Sequence, residues 1–152
     1  MVEKTEPNAL KRIALISAIA LLVNYVWEML QMPFFEGMYF SDPNAWLSCF
    51  QASVGDVFTT VFIFLVGRLI FGSWSWPHSP GVARITYLVL IGAVIAVTVE
   101  IVALKAGRWS YSALMPVVPG IGVGILPVVQ LIFLPYLGYV LAFRALSRKK
   151  KT

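Results

Sequence analysis

Charge is what this chain has least of. Only 12% of its 152 residues are Asp, Glu, Lys or Arg, against roughly 25% in a soluble domain. With 59% hydrophobic residues and a mean hydropathy of +0.82, the composition excludes a soluble globular protein and points to a polytopic membrane protein. Cysteine is nearly missing as well: Cys49 stands alone, so no internal disulfide can form. The single histidine, His78, excludes a histidine cluster for a transition metal. No Gly-rich phosphate loop and no Ser/His/Asp set occurs. Gly120-x-Gly122-x-Gly124 lacks the preceding strand and the spacing of a nucleotide fingerprint, and reads as glycines that pack a membrane helix. The net charge of +5 comes from residues at the ends of apolar runs. There it reads as a topology signal and as contacts to anionic lipid, so no nucleic-acid partner is expected.

What is there is four apolar runs, at about 10–31, 46–71, 83–105 and 121–146. Each is about the 20 residues needed to span a bilayer. The expected fold is therefore all-α, a polytopic four-transmembrane-helix bundle forming one integral membrane domain over 1–152. Lys11-Arg12 before the first run resembles a signal peptide. No Ala-x-Ala-like site closes that run, and it is read as a retained helix. Residues 1–9, with Pro7, form a short polar tail. Phe34, Phe35, Tyr39, Phe40 and Trp46 mark an interfacial aromatic belt in the first loop. Trp74, Trp76, Pro77, His78 and Pro80 suit a second interfacial turn over 72–82. The third connection, 107–120, carries Pro116, Pro119 and Gly120. It cannot be helical throughout, and it reads as an outer loop or a re-entrant segment before the fourth helix. Within that helix, Pro127 and Pro135 should free the carbonyls of Val123 and Leu131.

Orientation follows from the basic residues. Lys4, Lys11, Arg12, Arg68, Arg84, Arg144, Arg148, Lys149, Lys150 and Lys151 belong to the tails and second loop, whereas the first and third loops hold Lys105 and Arg108. The positive-inside rule then places both termini in the cytoplasm.

Each helix also carries polar residues on one stripe. Asn24, Glu28 and Gln31 share a face, with Ser17 one heptad earlier. Cys49, Ser53, Asp56 and Thr60 share a face on the second helix. Gly92, Ala96 and Glu100 make a small-residue face on the third that ends in a carboxylate. At 1.5 Å per residue, Glu28 lies about 22 Å and Glu100 about 25 Å from the inner edge, with Asp56 about 15 Å from the outer edge. Gln130 comes at about the depth of Asp56, and Trp109 and Tyr111 stand just above Glu100. Ionisable groups in a membrane span face a bundle interior or a cavity, so all four helices point polar groups toward one outward-opening region. No basic residue is expected at that depth, so the carboxylates must share protons. The expected site has Glu28, Asp56 and Glu100 as acid–base groups, with Asn24, Trp27, Gln31, Trp109, Tyr111 and Gln130 binding the substrate. No cofactor is expected, and no metal is expected either, since the cluster offers only carboxylates and amides, a set that suits hard cations.

The pattern Asn24-x-x-Trp27-Glu28-x-x-Gln31-x-Pro33, Gly55-Asp56, Glu100, Trp109-x-Tyr111-Ser112-x-x-Met115-Pro116-x-x-Pro119 and Pro127-x-x-Gln130 resembles a family of small bacterial inner-membrane proteins with no established activity. Asn24-x-x-Trp27-Glu28 also resembles a segment of fungal membrane-bound meroterpenoid cyclases. That likeness implies Glu28 as proton donor. Trp109-x-Tyr111 followed by prolines is similar to membrane carotenoid-modifying proteins.

Together these readings lead to a bacterial inner-membrane protein whose carboxylate pocket acts on an apolar isoprenoid or lipid molecule by acid catalysis. Two alternatives stay open. One is a small proton-linked transporter or channel, and the other is a non-catalytic accessory subunit. The expected partners are membrane lipids and the apolar ligand, with room for a homo-oligomer.

Overall fold

The computed structural model describes residues 8–78 and 81–148. Lys4, Pro7, Pro80 and Lys149, Lys150 and Lys151, read above as parts of tails and of the second loop, lie outside the described residues, as does the side chain of Arg148.

Four helices account for about two thirds of the chain, and each is long and apolar enough to cross a membrane. The first, α1, spans Ala9–Gln31 and opens on Asn8, whose side chain accepts from the Leu10 amide at 3.2 Å. The second, α2, spans Pro43–Phe71. It begins three residues before the expected Trp46 because the sequence supplies a start there. The Asp42 carboxylate accepts from the Asn44 amide at 2.9 Å, and Pro43 occupies the first turn, where its missing N–H is no loss. It ends at Gly72, whose φ of +67° suits glycine, with the Gly72 amide donating to the Arg68 carbonyl. The third, α3, spans Val82–Lys105.

The fourth helix, α4, spans Ile125–Arg148, so it starts four residues later than hydropathy suggested. Val118, Pro119, Gly120 and Ile121 make a tight turn, with proline at its second position and Gly120 at φ +84° in its third. The chain then runs back on itself. Val118 N donates to Val123 O at 2.7 Å, and Ile125 N donates to Pro116 O at 2.8 Å. Gly120 and Gly122, both at positive φ, are therefore turn glycines and not helix-packing ones. The expectation for Pro127 is corrected for the same reason. It lies in the first turn of α4, where no helical hydrogen bond is lost, and the Val123 carbonyl already accepts from Val118. Pro135 does sit inside the helix. The Leu131 carbonyl lies directly against Gly92 of α3, where any Cβ would overlap its oxygen. The small-residue face of α3 thus lets two helix backbones approach at a distance only glycine permits.

The helices pack in the order α2, α1, α4, α3. α2 and α3, although consecutive, meet over a short stretch, where the Tyr87 hydroxyl donates to the Ile63 carbonyl at 2.9 Å and its ring packs edge-on against Phe71. Large apolar side chains such as Leu22, Phe58, Leu69, Leu90 and Phe133 point outward. On a membrane-spanning bundle that is the lipid-facing surface. The described residues form no strand, only two isolated bridges.

The bundle has two unlike ends. At the end where α1 begins and α4 finishes, called lower here, Ile16, Ile63, Phe64, Trp76, Leu88, Tyr139, Ala142 and Phe143 form one buried cluster. Trp76 was expected in an interfacial turn, but it is 0% exposed. A short helical turn over Trp76–His78 tucks its ring against Gly67, where a Cβ would overlap it, and its indole N–H donates to Phe64 O at 3.0 Å. Nearby, Arg12 is buried, donates to Ser75 Oγ at 3.1 Å and lies over the Phe143 ring. At the upper end the loops over 32–42 and 106–124 are stitched together. Glu36 N donates to Ser110 O, Ser112 N donates to Phe34 O, and Ser110 Oγ donates to the Glu36 carboxylate at 2.8 Å. Tyr39, Phe40 and Trp46 stay exposed there, as an interfacial belt requires.

Candidate functional site

The polar stripes of α1, α2 and α4 meet below the upper cap, and one side chain joins them. Gln130 Nε2 lies 3.1 Å from Asn24 Oδ1, 2.8 Å from Glu28 Oε1 and 2.7 Å from Asp56 Oδ2. Asn24, Gln31 and Gln130 are buried, while Glu28 and Asp56 keep part of their surface accessible.

The direction of every amide here can be derived from its neighbours. The Trp27 indole nitrogen is donor-only, so the Gln31 atom it meets at 3.1 Å is the amide oxygen. That turns Gln31 Nε2 toward Gln130, at 3.1 Å from Gln130 Oε1. The Gln130 NH2 group therefore faces the two acids. Asn24 agrees from the other side: its Nδ2 donates to the Ala20 carbonyl at 2.8 Å, leaving Oδ1 to accept from Gln130. Donors run one way, from Trp27 through two glutamines to the carboxyl groups.

This arrangement has a consequence for protons. An NH2 group has two hydrogens, and three oxygens crowd around this one. Two ionised carboxylates on one amide, inside a bundle of apolar helices, would also repel each other with little solvent to screen them. Both conflicts are relieved when one of the two carboxyls is protonated and donates to its neighbour.

Glu100, buried on α3, has a separate set of partners. The Tyr111 hydroxyl donates to its Oε2, and the Trp109 indole N–H donates to the same oxygen at 3.3 Å. The Tyr111 oxygen in turn accepts from the Gly124 amide at 2.9 Å. Burial, and then the facing Glu100 carboxylate, hold the Tyr111 phenol above its ordinary range, so it keeps its proton and serves as a donor. Phe35 packs on both rings, 6.3 Å from Trp109 and 5.6 Å from Tyr111. Glu100 lies near enough to act electrostatically on both Glu28 and Asp56. It does not close with them into a metal-ligand triad. Among the described residues, no three His, Cys, Asp or Glu side chains are grouped to hold a metal ion.

The structure thus gathers Glu28, Asp56, Asn24, Trp27, Gln31 and Gln130 into one hydrogen-bonded network, and Glu100, Trp109 and Tyr111 into a second beside it. An open space of about 540 Å³ lies in the upper cap, bounded by Phe35, Glu36, Met38, Tyr39 and Ser112. None of the three carboxylates borders it. The stitching of the cap by Ser110, Ser112 and Glu36 escaped sequence reasoning. The only signal was two serines flanking Tyr111, a pattern shared by any polar loop. Comparison of the chain with protein-family models, with curated proteins and with solved structures returns no match.

Proposed function

We propose that this multi-pass membrane protein is an acid catalyst acting on an isoprenoid or other apolar lipid, with Glu28 as proton donor and Asp56 as the carboxyl that shares its proton. The observation that carries this reading is the placement of both carboxyls on the single Gln130 amide nitrogen. A carboxylic acid kept protonated in apolar surroundings can protonate a carbon–carbon double bond. The proton moves from the carboxyl to one alkene carbon, the π bond opens, and the cation forms on the other carbon. Loss of a proton elsewhere in the molecule, back to the carboxylate pair, completes an isomerisation or cyclisation with no net consumption of acid. Trp109, Tyr111 and Phe35 supply the aromatic faces that stabilise such a cation. α2 and α3 meet only over a short stretch, and a lipid substrate would enter laterally between them, toward Asp56 and Glu100. The likeness of Asn24-x-x-Trp27-Glu28 to the meroterpenoid cyclases favours the same role for Glu28. The motif resemblance stated above favours kinship with small bacterial inner-membrane proteins.

Proton-linked transport requires a second route to the other face of the membrane. Phe64, Trp76 and Tyr139, all 0% exposed, stand across the lower end of the bundle, which favours catalysis at a one-sided site.

Glu28→Gln tests the assignment. Glutamine keeps the contact with Gln130 but has no acidic proton. Turnover of an isoprenoid substrate should fall at least about 100-fold, with the melting temperature in detergent nearly unchanged. Full turnover in that variant would return Glu28 to a packing role. We also place the protein in a bacterial inner membrane with both termini in the cytoplasm, on the excess of basic residues there. Reporter fusions at Thr152 and at Asn44 should then report opposite compartments, and the same compartment for both would reject this topology.

A further inference from the structure

Thr60 is the loose end of this network. Its side chain is 0% exposed, and its Oγ1 has no hydrogen-bond partner among the described residues. A hydroxyl taken out of water without a partner destabilises the fold. A serine or threonine inside a helix usually relieves this by donating to the carbonyl four residues back. Five others do so here: Ser48 to Asn44 O, Ser53 to Cys49 O, Thr59 to Gly55 O, Thr98 to Val94 O and Ser147 to Phe143 O. Thr60 does not donate to the Asp56 carbonyl. Its own carbonyl is taken by the Tyr139 hydroxyl at 2.6 Å, which fixes this turn of α2 against α4.

Thr60 stands one helical turn below Asp56 on the same face of α2. Asp56 gives its Oδ2 to Gln130. Below Thr60, the buried cluster of Ile63, Phe64, Trp76 and Tyr139 shuts off the lower end. The hydroxyl therefore lies between an acid one turn above it and an apolar floor below.

We propose that Thr60 Oγ1 and the Asp56 carboxyl hold one internal water, which stores and returns the proton of the Glu28–Asp56 pair; this rests on the acid-catalyst reading. Water matches what the site has unsatisfied, since a hydroxyl needs one partner that can both donate and accept, and a buried water ordinarily makes two to four such bonds. A metal cation fits less well. Gln130 turns its N–H hydrogens, the positive end of its amide dipole, toward the acids, so positive charge at this place is carried as a proton.

The experiment compares Thr60→Val, which keeps the shape and deletes the hydroxyl, with Thr60→Ser, which keeps the hydroxyl, in purified protein without substrate. Two readouts are taken, the melting temperature and the infrared stretch of the protonated carboxyl. Thr60→Val should melt about 2–6 °C lower than the parent and should shift the carboxyl band, because the carboxyl loses a hydrogen bond. Thr60→Ser should retain both properties. A Thr60→Val protein that melts as high as the parent or higher would show that the hydroxyl is dry and overturn the inference. A carboxyl band that stays put at any melting temperature would reduce Thr60 to packing and overturn it equally. So would a parent that melts higher in sodium than in choline chloride with that difference lost in Thr60→Val, the signature of a metal cation. A parent with no protonated-carboxyl band would refute the proton-sharing pair itself, a separate failure, and the melting comparison would then decide Thr60 alone.

Discussion

The lower and upper ends of this bundle use the same residue types for opposite purposes. At the lower end, Trp76 and Tyr139 bury their rings and Tyr87 is half-buried, and each donates its one polar hydrogen to a backbone carbonyl, of Phe64, Thr60 and Ile63 respectively. Those carbonyls belong to the backbone of α2, and a backbone carbonyl does not titrate. At the upper end, Trp27, Trp109 and Tyr111 donate to side chains instead, namely Gln31 and Glu100. Aromatic donors on backbone make a fixed core. Aromatic donors on amides and acids make a network whose proton content can change. The lower end is close-packed, and the upper end is built around acids and the amides and aromatics that donate to them.

That contrast can be broken most directly at Trp76. Its ring is fully buried among Phe64, Phe71, Tyr87 and Tyr139, so Trp76→Ala should cost about 3–5 kcal/mol and lower the melting temperature more than any change at Glu28. If Trp76→Ala melts like the parent while Glu28→Gln falls apart, the assignment of stability to one end and chemistry to the other is wrong.

A smaller effect should sharpen the comparison at Trp27. Trp27→Phe keeps a ring but removes the N–H that orients Gln31, and through it Gln130. The stability cost should be about 0.5–1.5 kcal/mol, that of one hydrogen bond. The turnover-against-pH profile should shift, because the Gln130 amide is then free to turn its oxygen toward the acids. An unchanged profile would show that Gln130 is oriented without Trp27.

Much of this was legible in residue order. The four spans follow from hydropathy, because a bilayer of fixed thickness accepts only long apolar helices with their backbone hydrogen bonds satisfied internally. The stripe of Asn24, Glu28 and Gln31 follows from 3.6 residues per turn, as does that of Ser53, Asp56 and Thr60. The start of α4 was not legible by those means. Ile121 and Val123 are as apolar as the helix that follows, and what keeps them out of it is the reversal at Pro119 and Gly120, closed by hydrogen bonds from Val118 and Ile125. Trp76 was equally hidden. A tryptophan flanked by Ser75 and Pro77 at a helix end looks interfacial, and only the missing side chain of Gly67, nine residues earlier, makes room for it inside.

The order of residues by itself therefore determined which segments cross the membrane and which face of each would carry polar groups, since both depend on local periodicity and on the cost of exposing backbone or charge to lipid. Tertiary structure alone decided that Glu28 and Asp56 share one amide, that Glu100 answers to Tyr111 and Trp109 instead, and that the Thr60 hydroxyl has no hydrogen-bond partner among the described residues. Those outcomes depend on how α1, α2, α3 and α4 rotate and slide against each other. A single close approach, Gly92 against the Leu131 carbonyl, helps to set that register, and no local pattern encodes it.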